Sequence, residues 1–502
     1  MRKVIEPQML LGELDIGAIK LDPKSRDDIP QILRGLQHIY TEPEVRERVF
    51  AILEEMRPER SGDGKSGKAN AHNGRPGMAQ WKILVLGVLR LGLNADYDRI
   101  QELANEHKTL RQMLGHGDWW EDKGRYELQT LKDNLRLFTP EILDRINQEV
   151  VRAGHQALKK NPDDGIEGRC DSFVVETDVH FPTDINLLLD AIRKIIESCV
   201  ALSEENGMKG WRQHAYLLRQ FKKLYRKVQK LKHSTSKDED QRQRKQTEIQ
   251  EAHRLYLKLA ESLLAQAEQS RQQVPANHSI SSAVMLQKLG DYMAHARRQI
   301  NQIQRRVLQG ESIPHKEKVF SIFEPHTEWI SKGKAGVPVE LGLRVCVMED
   351  SDRFILHYQV MERTTDDLVA ESMVAETKER FPNLRSVSMD KGFHSPANQE
   401  VLKKHLECVV IPKKGKLSQD DKARESDPEF IQLRRQHSGV ESAINALEIH
   451  GLDKCLDHGI EGFKRYVGLA VVARNIQRLG AVLRQQEQEK VRRKRGPYKR
   501  AA

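Results

Sequence analysis

The sequence is poor in the features that mark secreted, zinc-stapled and membrane proteins. Its 502 residues include five cysteines; these are scattered, with no CxxC pair among Cys170, Cys199, Cys346, Cys408 and Cys455. Such spacing argues against a structural zinc site and indicates a reduced, intracellular protein. The longest strongly apolar run, residues 83–89, is far too short to span a bilayer, and no signal-peptide pattern opens the chain. We therefore expect no membrane role.

The charge balance favours a polyanionic partner. The chain carries 83 Lys and Arg against 73 Asp and Glu, a formal net charge of +10, and a basic surplus of this kind suits nucleic acid. At this length we expect roughly three domains, with ample residues for a buried core.

The amino-terminal third predicts helices around a linker. Residues 1–56 end in an amphipathic pattern over 42–53, so we expect an N-terminal helical segment there. Residues 57–77 are rich in Gly, Ser, Lys and Asn, which predicts a flexible linker. Residues 78–165 then read as a helical domain that serves DNA binding or dimerisation.

Two short helices open that domain, at 81–90 and 97–107, with a break between them. The pattern fits a helix-turn-helix, which places one helix in the DNA major groove. The alternative is a small helical bundle used for dimerisation, because Glu102 and Glu106 on the second helix are poor partners for phosphate. A second helical pair follows from residue 126 to about residue 158.

Strand patterns occupy the rest of the chain outside one insertion. Five β-branched, aromatic or alternating runs indicate five strands, and helices separate the later ones. Two of the five alternate around a turn at 350–353 and predict an antiparallel hairpin. The runs are 173–175, 339–347, 354–360, 384–389 and 408–412.

The insertion, residues 190–317, has a different character. Apolar residues recur in heptad-like steps over 217–231, 249–263 and 289–307, which predicts antiparallel helices in a bundle or coiled-coil arm. Lys and Arg dominate the outer faces. Each of these cations is typical of a solvated helix face, whereas together they also suit a surface that lines DNA.

Three acids stand at positions that a sheet would bring together. Asp171 opens the first strand, Asp390 ends the fourth, and Glu441 lies on a later helix. Clustered carboxylates repel one another unless a cation neutralises them, and hard oxygen ligands suit Mg²⁺. Two such ions about 4 Å apart would activate the attacking oxygen and stabilise the leaving oxygen of a phosphoryl transfer.

Several motifs in order carry a resemblance to a known family. They are residues 74–78 with 81–90, residues 171–184, the Asp-Lys-Gly-Phe-His-Ser run at 390–395, residues 439–442, and residues 451–455 with 459–475. With these motifs the chain resembles bacterial insertion-sequence transposases of the DDE class, whose catalytic core has the ribonuclease H-like fold. The resemblance covers most of the chain.

The resemblance implies a fold and a domain order. The expected fold is α/β, with a mixed five-stranded ribonuclease H-like sheet flanked by helices. Residues 166–189 and 318–480 would form this catalytic domain, and the long helical, coiled-coil-like insertion 190–317 would interrupt it. The all-helical DNA-binding region would precede it, and a basic tail, 481–502, would follow.

The resemblance also implies the site. Asp171, Asp390 and Glu441 become the catalytic and metal-binding acids, with two Mg²⁺ ions as cofactor and Mn²⁺ as a substitute. Asp178 and Asp184 remain alternates for the first acid, although both would lie past the strand end.

A supporting set of polar residues would contact DNA. Arg434 is seven residues before Glu441 and Asn445 is four after it, so we expect one shared helix face. His180 and His394 are candidates to assist proton transfer, with a structural hydrogen bond as the alternative. The other predicted DNA contacts are Lys413, Lys414, Lys416, Arg435, Arg492 and Arg493; for the tail that carries the last two, disorder is the default expectation.

The function implied is that of a DNA transposase. It would bind the terminal inverted repeats of its own mobile element, cut the DNA with metal-activated water, and join the freed 3′-hydroxyl to target DNA without a covalent enzyme intermediate. Synapsis of two ends implies a homodimer or a higher oligomer, in the bacterial cytoplasm at the nucleoid. The alternatives are a catalytically inactive DNA-binding protein and a structure-selective DNA nuclease on the same fold.

Overall fold

The structure is a computed structural model that describes residues 3–5, 13–56, 77–117, 124–161, 163–331 and 339–494. Residues 57–76 of the predicted linker lie outside these ranges, and so do residues 495–502 of the predicted tail. The chain divides into two compact units, one made of residues 1–178 and 330–502 and the other of residues 179–329. The second unit contains the whole predicted insertion, 190–317, and extends beyond both of its predicted ends.

Helices account for most of the chain. The helices are α1 (Asp28–Thr41), α2 (Pro43–Glu54), α3 (Gln80–Gly92), α4 (Tyr97–Glu106), α5 (Lys108–Met113), α6 (Leu128–Leu135), α7 (Pro140–Ala157), α8 (Asp184–Glu205), α9 (His214–Lys230), α10 (Glu239–Gln273), α11 (Ile280–Ile303), α12 (Asp366–Arg380), α13 (Pro396–His405), α14 (Gln419–Glu425), α15 (Pro428–Gln436), α16 (Gly439–Leu447) and α17 (Ile460–Lys494). The strands are β1 (Ile166–Thr177), β2 (Glu328–Ser331), β3 (Val339–Asp350), β4 (Ile355–Met361), β5 (Leu384–Met389), β6 (Cys408–Val410) and β7 (Lys454–Cys455).

One mixed sheet forms the centre of the first unit. Its strands run in the order β2-β3-β1-β5-β6, with β4 also paired to β3 and β7 to β1. The predicted hairpin is present as β3 and β4, which are antiparallel, and β3 is antiparallel to β1. The pairs β1 with β5 and β5 with β6 are parallel. The predicted α/β class with a mixed sheet is therefore confirmed.

The sheet has seven strands among the described residues, so the prediction of five was wrong in number. All five expected strands are present, and the additional strands are β2, of four residues, and β7, of two. Neither of them shows an alternating apolar pattern in the sequence, whereas β6, with only three residues, lies in a continuous apolar run. They extend the sheet without changing the order of the five predicted strands.

The first strand is longer than its sequence pattern indicated. β1 has 12 residues and begins at Ile166, so Asp171 lies in the middle of the strand instead of opening it. The first half of β1 contains Gly168 and charged residues, so it does not show the apolar alternation that is typical of a strand. A Cβ at Gly168 would stand 2.8 Å from the Met348 sulfur on β3, so a larger residue there would require this side chain to shift.

Two local signals mark the start of α13. Ser395 precedes the helix, and its hydroxyl accepts a hydrogen bond from the Asn398 backbone N–H at 3.1 Å. Pro396 occupies the first turn, where its missing N–H costs nothing. These two residues fix where the chain turns into the helix after β5.

The amino-terminal helices share the core of the sheet. α3 is buried over nearly its whole length and packs against α1 and α17. The second helix of the predicted helix-turn-helix, α4, turns Asp98, Glu102 and Glu106 outward, and its Arg99 is paired with Glu102 at 2.8 Å. This acidic outer face would repel phosphate, so it favours a packing role for the helix pair over a DNA-reading role.

The second unit is a bundle of four helices, α8 to α11, around its own core. Sequence patterns predicted the last three helices; α8 was missed because it crosses the boundary that we had placed at residue 190. The core is aliphatic along α8 and includes the stacked rings of Phe221 and Tyr256, whose centroids are 4.6 Å apart. The bundle therefore has a core sufficient to hold its helices together without the sheet.

The carboxyl-terminal helix crosses a predicted boundary. α17 spans 35 residues and continues to Lys494, so the first part of the predicted tail, 481–494, is helical. In the part of the chain that the structure describes, none of the helices is long and apolar enough to traverse a membrane.

Candidate active site

Two of the predicted acids lie on neighbouring central strands. β1 and β5 are parallel, and Cys170 is the register partner of Met389. Asp171 and Asp390 follow these partners directly, so their backbones lie side by side across about 4.8 Å, the usual separation of paired strands. The pairing of the two strands therefore places these two residues side by side.

The backbone after β5 orients Asp390. Its side chain is exposed, and one carboxylate oxygen accepts a hydrogen bond from the Lys391 N–H at 2.6 Å at the start of a short 3₁₀ turn, Lys391–Phe393. Phe393 is buried and anchors this turn in the core. Asp390 is therefore held at the edge of the sheet with its second oxygen free to take another partner.

Glu441 approaches from a helix that packs on β1. It lies in the first turn of α16 and is exposed. The partial positive charge at a helix amino terminus stabilises an acid in this position. A Cβ on Gly439, two residues earlier, would stand 2.0 Å from Nη1 of Arg169 on β1. A larger residue at position 439 would therefore require the Arg169 guanidinium to move.

The electrostatic environment of Asp171 includes three other acids. The pKa of Asp171 is raised to about 6, first by burial and then by the charges of Asp390, Asp366 and Glu441. The Ser172 backbone N–H, which donates to Asp171 at 2.7 Å, acts in the opposite direction. The charges of Asp390, Glu441 and a fourth acid, Asp366, therefore all act on Asp171.

Asp366, the fourth acid, was missed in the sequence. It is the first residue of α12, and it accepts a hydrogen bond from the Ser172 hydroxyl at 2.6 Å. A Cβ on Gly392, in the turn after Asp390, would stand 3.0 Å from its carboxylate. Acids are common in the first turn of any helix, so the sequence contained no signal that separated Asp366 from an ordinary helix start.

His437 is a second residue that the sequence did not single out. Its Nδ1 lies 3.2 Å from the Ser388 hydroxyl on β5. Burial lowers the pKa of His437, while the charges of Asp390 and Glu441 act to raise it, so the ring is near both acids. The predicted histidines lie elsewhere: His180 is paired with Asp190 at 3.3 Å in the second unit, and His394 follows the turn after Asp390.

The alternates for the first acid have other partners. Asp178 lies just past the end of β1, where it is paired with Lys454 at 2.6 Å. Asp184 belongs to the second unit, where it begins α8 and is paired with Arg306 at 2.9 Å. Of the three candidates, Asp171 is the one beside Asp390 in the sheet.

The expectation that Arg434, Glu441 and Asn445 share one helix face was wrong. The helix breaks at His437 and Ser438, so Arg434 lies on α15 and the other two lie on α16. Arg434 is half exposed and lies 3.8 Å from Glu425. His437 and Ser438, the two residues at the break, both keep helical backbone angles. The spacing of residues in the sequence could therefore not distinguish two helices from one.

The remaining predicted DNA contacts differ in their availability. Lys413 is paired with Asp421, and its backbone N–H donates to Glu425 at 2.8 Å, so this cation already has a partner. The others are exposed: Lys414 and Lys416 after β6, Arg435 on α15, Asn445 on α16, and Arg492 and Arg493 near the end of α17.

No family model, curated protein or solved structure matches the chain.

The donor chemistry of the acid cluster fits a divalent cation. Asp171 combines burial with three nearby negative charges, and a bound cation would relieve both penalties. Carboxylate oxygens are the ligands that Mg²⁺ prefers. As the side chains stand, no three His, Cys, Asp or Glu residues within the described ranges form a group ready to hold a metal ion. The residues present are thus of the right type, and their carboxylates are not yet gathered around a common point.

Proposed function

We propose that the chain is a DNA transposase of the DDE class. In this proposal it binds the terminal repeats of its own element, cleaves the strand at each end, and transfers the freed 3′-hydroxyl to target DNA. The adjacency of Asp171 and Asp390 on two central parallel strands, with the charge of Glu441 acting on Asp171, carries the proposal.

The strand order supports a ribonuclease H-like core. When β2 and β7 are left out, the order is β4-β3-β1-β5-β6. The first three of these strands are antiparallel to their neighbours, and the last three are parallel. This is the arrangement that the resemblance to the transposases implies. The four-helix unit leaves the sheet after β1, whereas the insertion of the better-known transposases comes after the fifth strand, so its position departs from the family pattern.

In the proposed site each acid has a separate support. Asp390 is oriented by the Lys391 N–H, Asp171 by the Ser172 N–H, and Glu441 by the first turn of α16. These three residues would hold Mg²⁺, or Mn²⁺ in its place. When bound, the ions would supply Lewis acidity that activates the attacking oxygen and stabilises the leaving oxygen of a DNA phosphodiester.

The chain's own residues then have two tasks. The acids fix where the phosphodiester can lie relative to the edge of the sheet, and the buried turn at Phe393 keeps Asp390 in place. Exposed cations such as Lys414, after β6, and Arg435, on α15, would contact the DNA backbone without reading its sequence. Joining two ends to one target requires at least two copies of the active site, so the proposal includes a homodimer or a higher oligomer.

The experiment is a cleavage and joining assay on the chain's own DNA context. Purified protein would be incubated in Mg²⁺ or Mn²⁺ with a labelled fragment that contains its coding sequence and several hundred flanking base pairs. The same assay would be run with Asp390→Ala. The proposal predicts nicks at two defined flanking positions and strand-transfer products, both lost in the variant while binding is retained.

Two other outcomes would contradict the proposal. Binding without metal-dependent cutting in the unmodified protein would favour the inactive DNA-binding protein. Cutting at positions that do not depend on the flanking sequence would favour a nuclease.

A further inference from the structure

One segment of the four-helix unit is basic without interruption. From residue 207 to residue 237 the sequence contains ten Lys and Arg and no Asp or Glu. Most of this segment is α9. The other helices of the unit carry acids as well as bases, so the charge is concentrated on one element.

Four of these cations form a single stripe along α9. Arg219, Lys223, Arg226 and Lys230 recur at intervals of four, three and four residues, and all four are exposed. At 100° per residue they lie within about 60° of one another around the helix axis. The buried residues of α9, Phe221 and Val228, lie on the opposite side and pack into the core of the unit. The stripe therefore faces away from the core and is about 16 Å long.

The stripe is not neutralised within the described part of the chain. Elsewhere in the unit, bases are paired with acids, as Arg242 is with Glu239 at 3.3 Å and Arg271 with Glu268 at 2.8 Å. None of the four stripe residues forms an ion pair or a hydrogen bond with another described side chain. Like charges three and four residues apart destabilise a helix, so folding alone does not favour this arrangement.

We propose that this stripe is a docking surface for the phosphate backbone of duplex DNA. Duplex DNA carries one negative charge per about 1.7 Å of its axis when both strands are counted, so a row of cations about 16 Å long can contact several phosphates. The choice of DNA as the polyanion rests on the proposed function. The contact would be independent of base sequence, because long flexible cations at a helix surface reach phosphates and not base edges.

The test is the salt dependence of DNA binding by the full-length protein. Binding to a fluorescent 40-base-pair duplex of arbitrary sequence would be measured between 50 and 200 mM salt, in the presence of EDTA. The variants are Arg219→Gln with Lys223→Gln, and separately Arg226→Gln with Lys230→Gln. The control is Lys288→Gln with Arg298→Gln, which removes two exposed cations from α11 in the same unit.

Each stripe variant should lose about two phosphate contacts. The fall in affinity between 50 and 200 mM salt should then become about tenfold smaller than in the unmodified protein. The control should keep the original dependence. A thermal melt of each protein checks that the bundle is intact.

An equal change in the control and the stripe variants, or no change in either, would overturn the proposal, since net charge alone or another surface would then explain binding. Tighter binding of the protein to single-stranded RNA than to the duplex, in a competition experiment, would also overturn the proposal. Because EDTA prevents cleavage, an unsuccessful cleavage assay leaves this result interpretable, and the two proposals can fail separately.

Discussion

The guanidinium of Arg169 lies against the backbone of Gly439, where a Cβ would stand 2.0 Å from its Nη1 and 3.0 Å from its Cζ. Arg169 comes two residues before Asp171 on β1, and Gly439 comes two residues before Glu441 on α16. Arg169 also lies 3.7 Å from the buried Glu349 and is only 14% exposed, so it has little room to move away. The contact thus sets the distance between the elements that carry two of the acids.

Replacing Gly439 with alanine should separate those elements. We expect Gly439→Ala to reduce DNA cleavage at least tenfold while DNA binding changes little, and to cost about 1–2 kcal/mol of stability through overpacking. Single-turnover cleavage, DNA binding and chemical denaturation measure these three quantities. The control is Gly290→Ala on α11, where a Cβ meets nothing within 4 Å. Equal cleavage by both variants would mean that the spacing of α16 from β1 is unimportant.

The identity of the first acid can be tested with paired substitutions. Asp171→Asn should reduce cleavage by a factor of at least about 100, the order found when a group that stabilises transition-state charge is removed. Asp178→Asn should change the cleavage rate by no more than about twofold, because Asp178 is paired with Lys454 just past the end of the strand. The measurement is the single-turnover rate at saturating Mg²⁺. The reverse ranking would move the first acid to Asp178.

Asp366 should behave as a positioning residue. It holds the Ser172 hydroxyl at 2.6 Å next to Asp171, and loss of such a supporting contact typically costs 10- to 100-fold in metal affinity or activity, so about that range is expected here. We expect Asp366→Asn to raise the Mg²⁺ concentration needed for half-maximal cleavage, with partial recovery at high Mg²⁺. The neighbouring Asp367→Asn serves as control, since Asp367 is hydrogen-bonded to Thr365 at 2.6 Å. An unchanged Mg²⁺ dependence in Asp366→Asn would remove this residue from the site.

A pH dependence of stability follows from Glu349, which is buried on β3. Its pKa is raised to about 7, mainly by burial and partly by Asp350, although Arg169 acts to lower it. In the unfolded chain Glu349 loses its proton near its ordinary pKa, whereas in the folded chain it keeps the proton until about pH 7. The folded state therefore loses stability as the pH rises from about 4.5 to 7, by on the order of 3 kcal/mol.

Glu349→Gln should remove that loss. Denaturant unfolding at several pH values should show a flatter profile between pH 4.5 and 7 in the variant, and higher stability than the unmodified protein at pH 8. Glu407→Gln, an exposed residue paired with Arg385, is the control and should leave the profile unchanged. A profile in Glu349→Gln that still falls over this range would assign the dependence to another group.

Much of the fold could be predicted from the sequence because its elements have strong local patterns. β5 has the predicted bounds, and the hairpin is where alternation placed it. The misses have physical causes. The first half of β1 contains a glycine and charged residues, so it lacks the apolar pattern of a strand. The break at His437 and Ser438 keeps helical backbone angles, so no sequence pattern indicates it.

The candidate site was predictable only in part. Asp171 precedes an apolar run and Asp390 follows one, which is a visible signal in the sequence. The parallel pairing of their two strands then places them at the same edge of the sheet. Asp366 and Arg169 act through contacts with residues far away in the sequence, namely Ser172 and Gly439. Local spacing contains no information on such contacts, so these two residues required the structure.

In the proposed site, Asp171, Asp390 and Glu441 together bind divalent cations. The most direct measurement is Mn²⁺ titration of the full-length protein, followed by the loss of the free-ion signal in electron paramagnetic resonance. The account predicts up to two bound ions in the unmodified protein and in Asp178→Asn, and a loss of at least tenfold in affinity in Asp390→Asn. Equal Mn²⁺ affinity in all three proteins would contradict it.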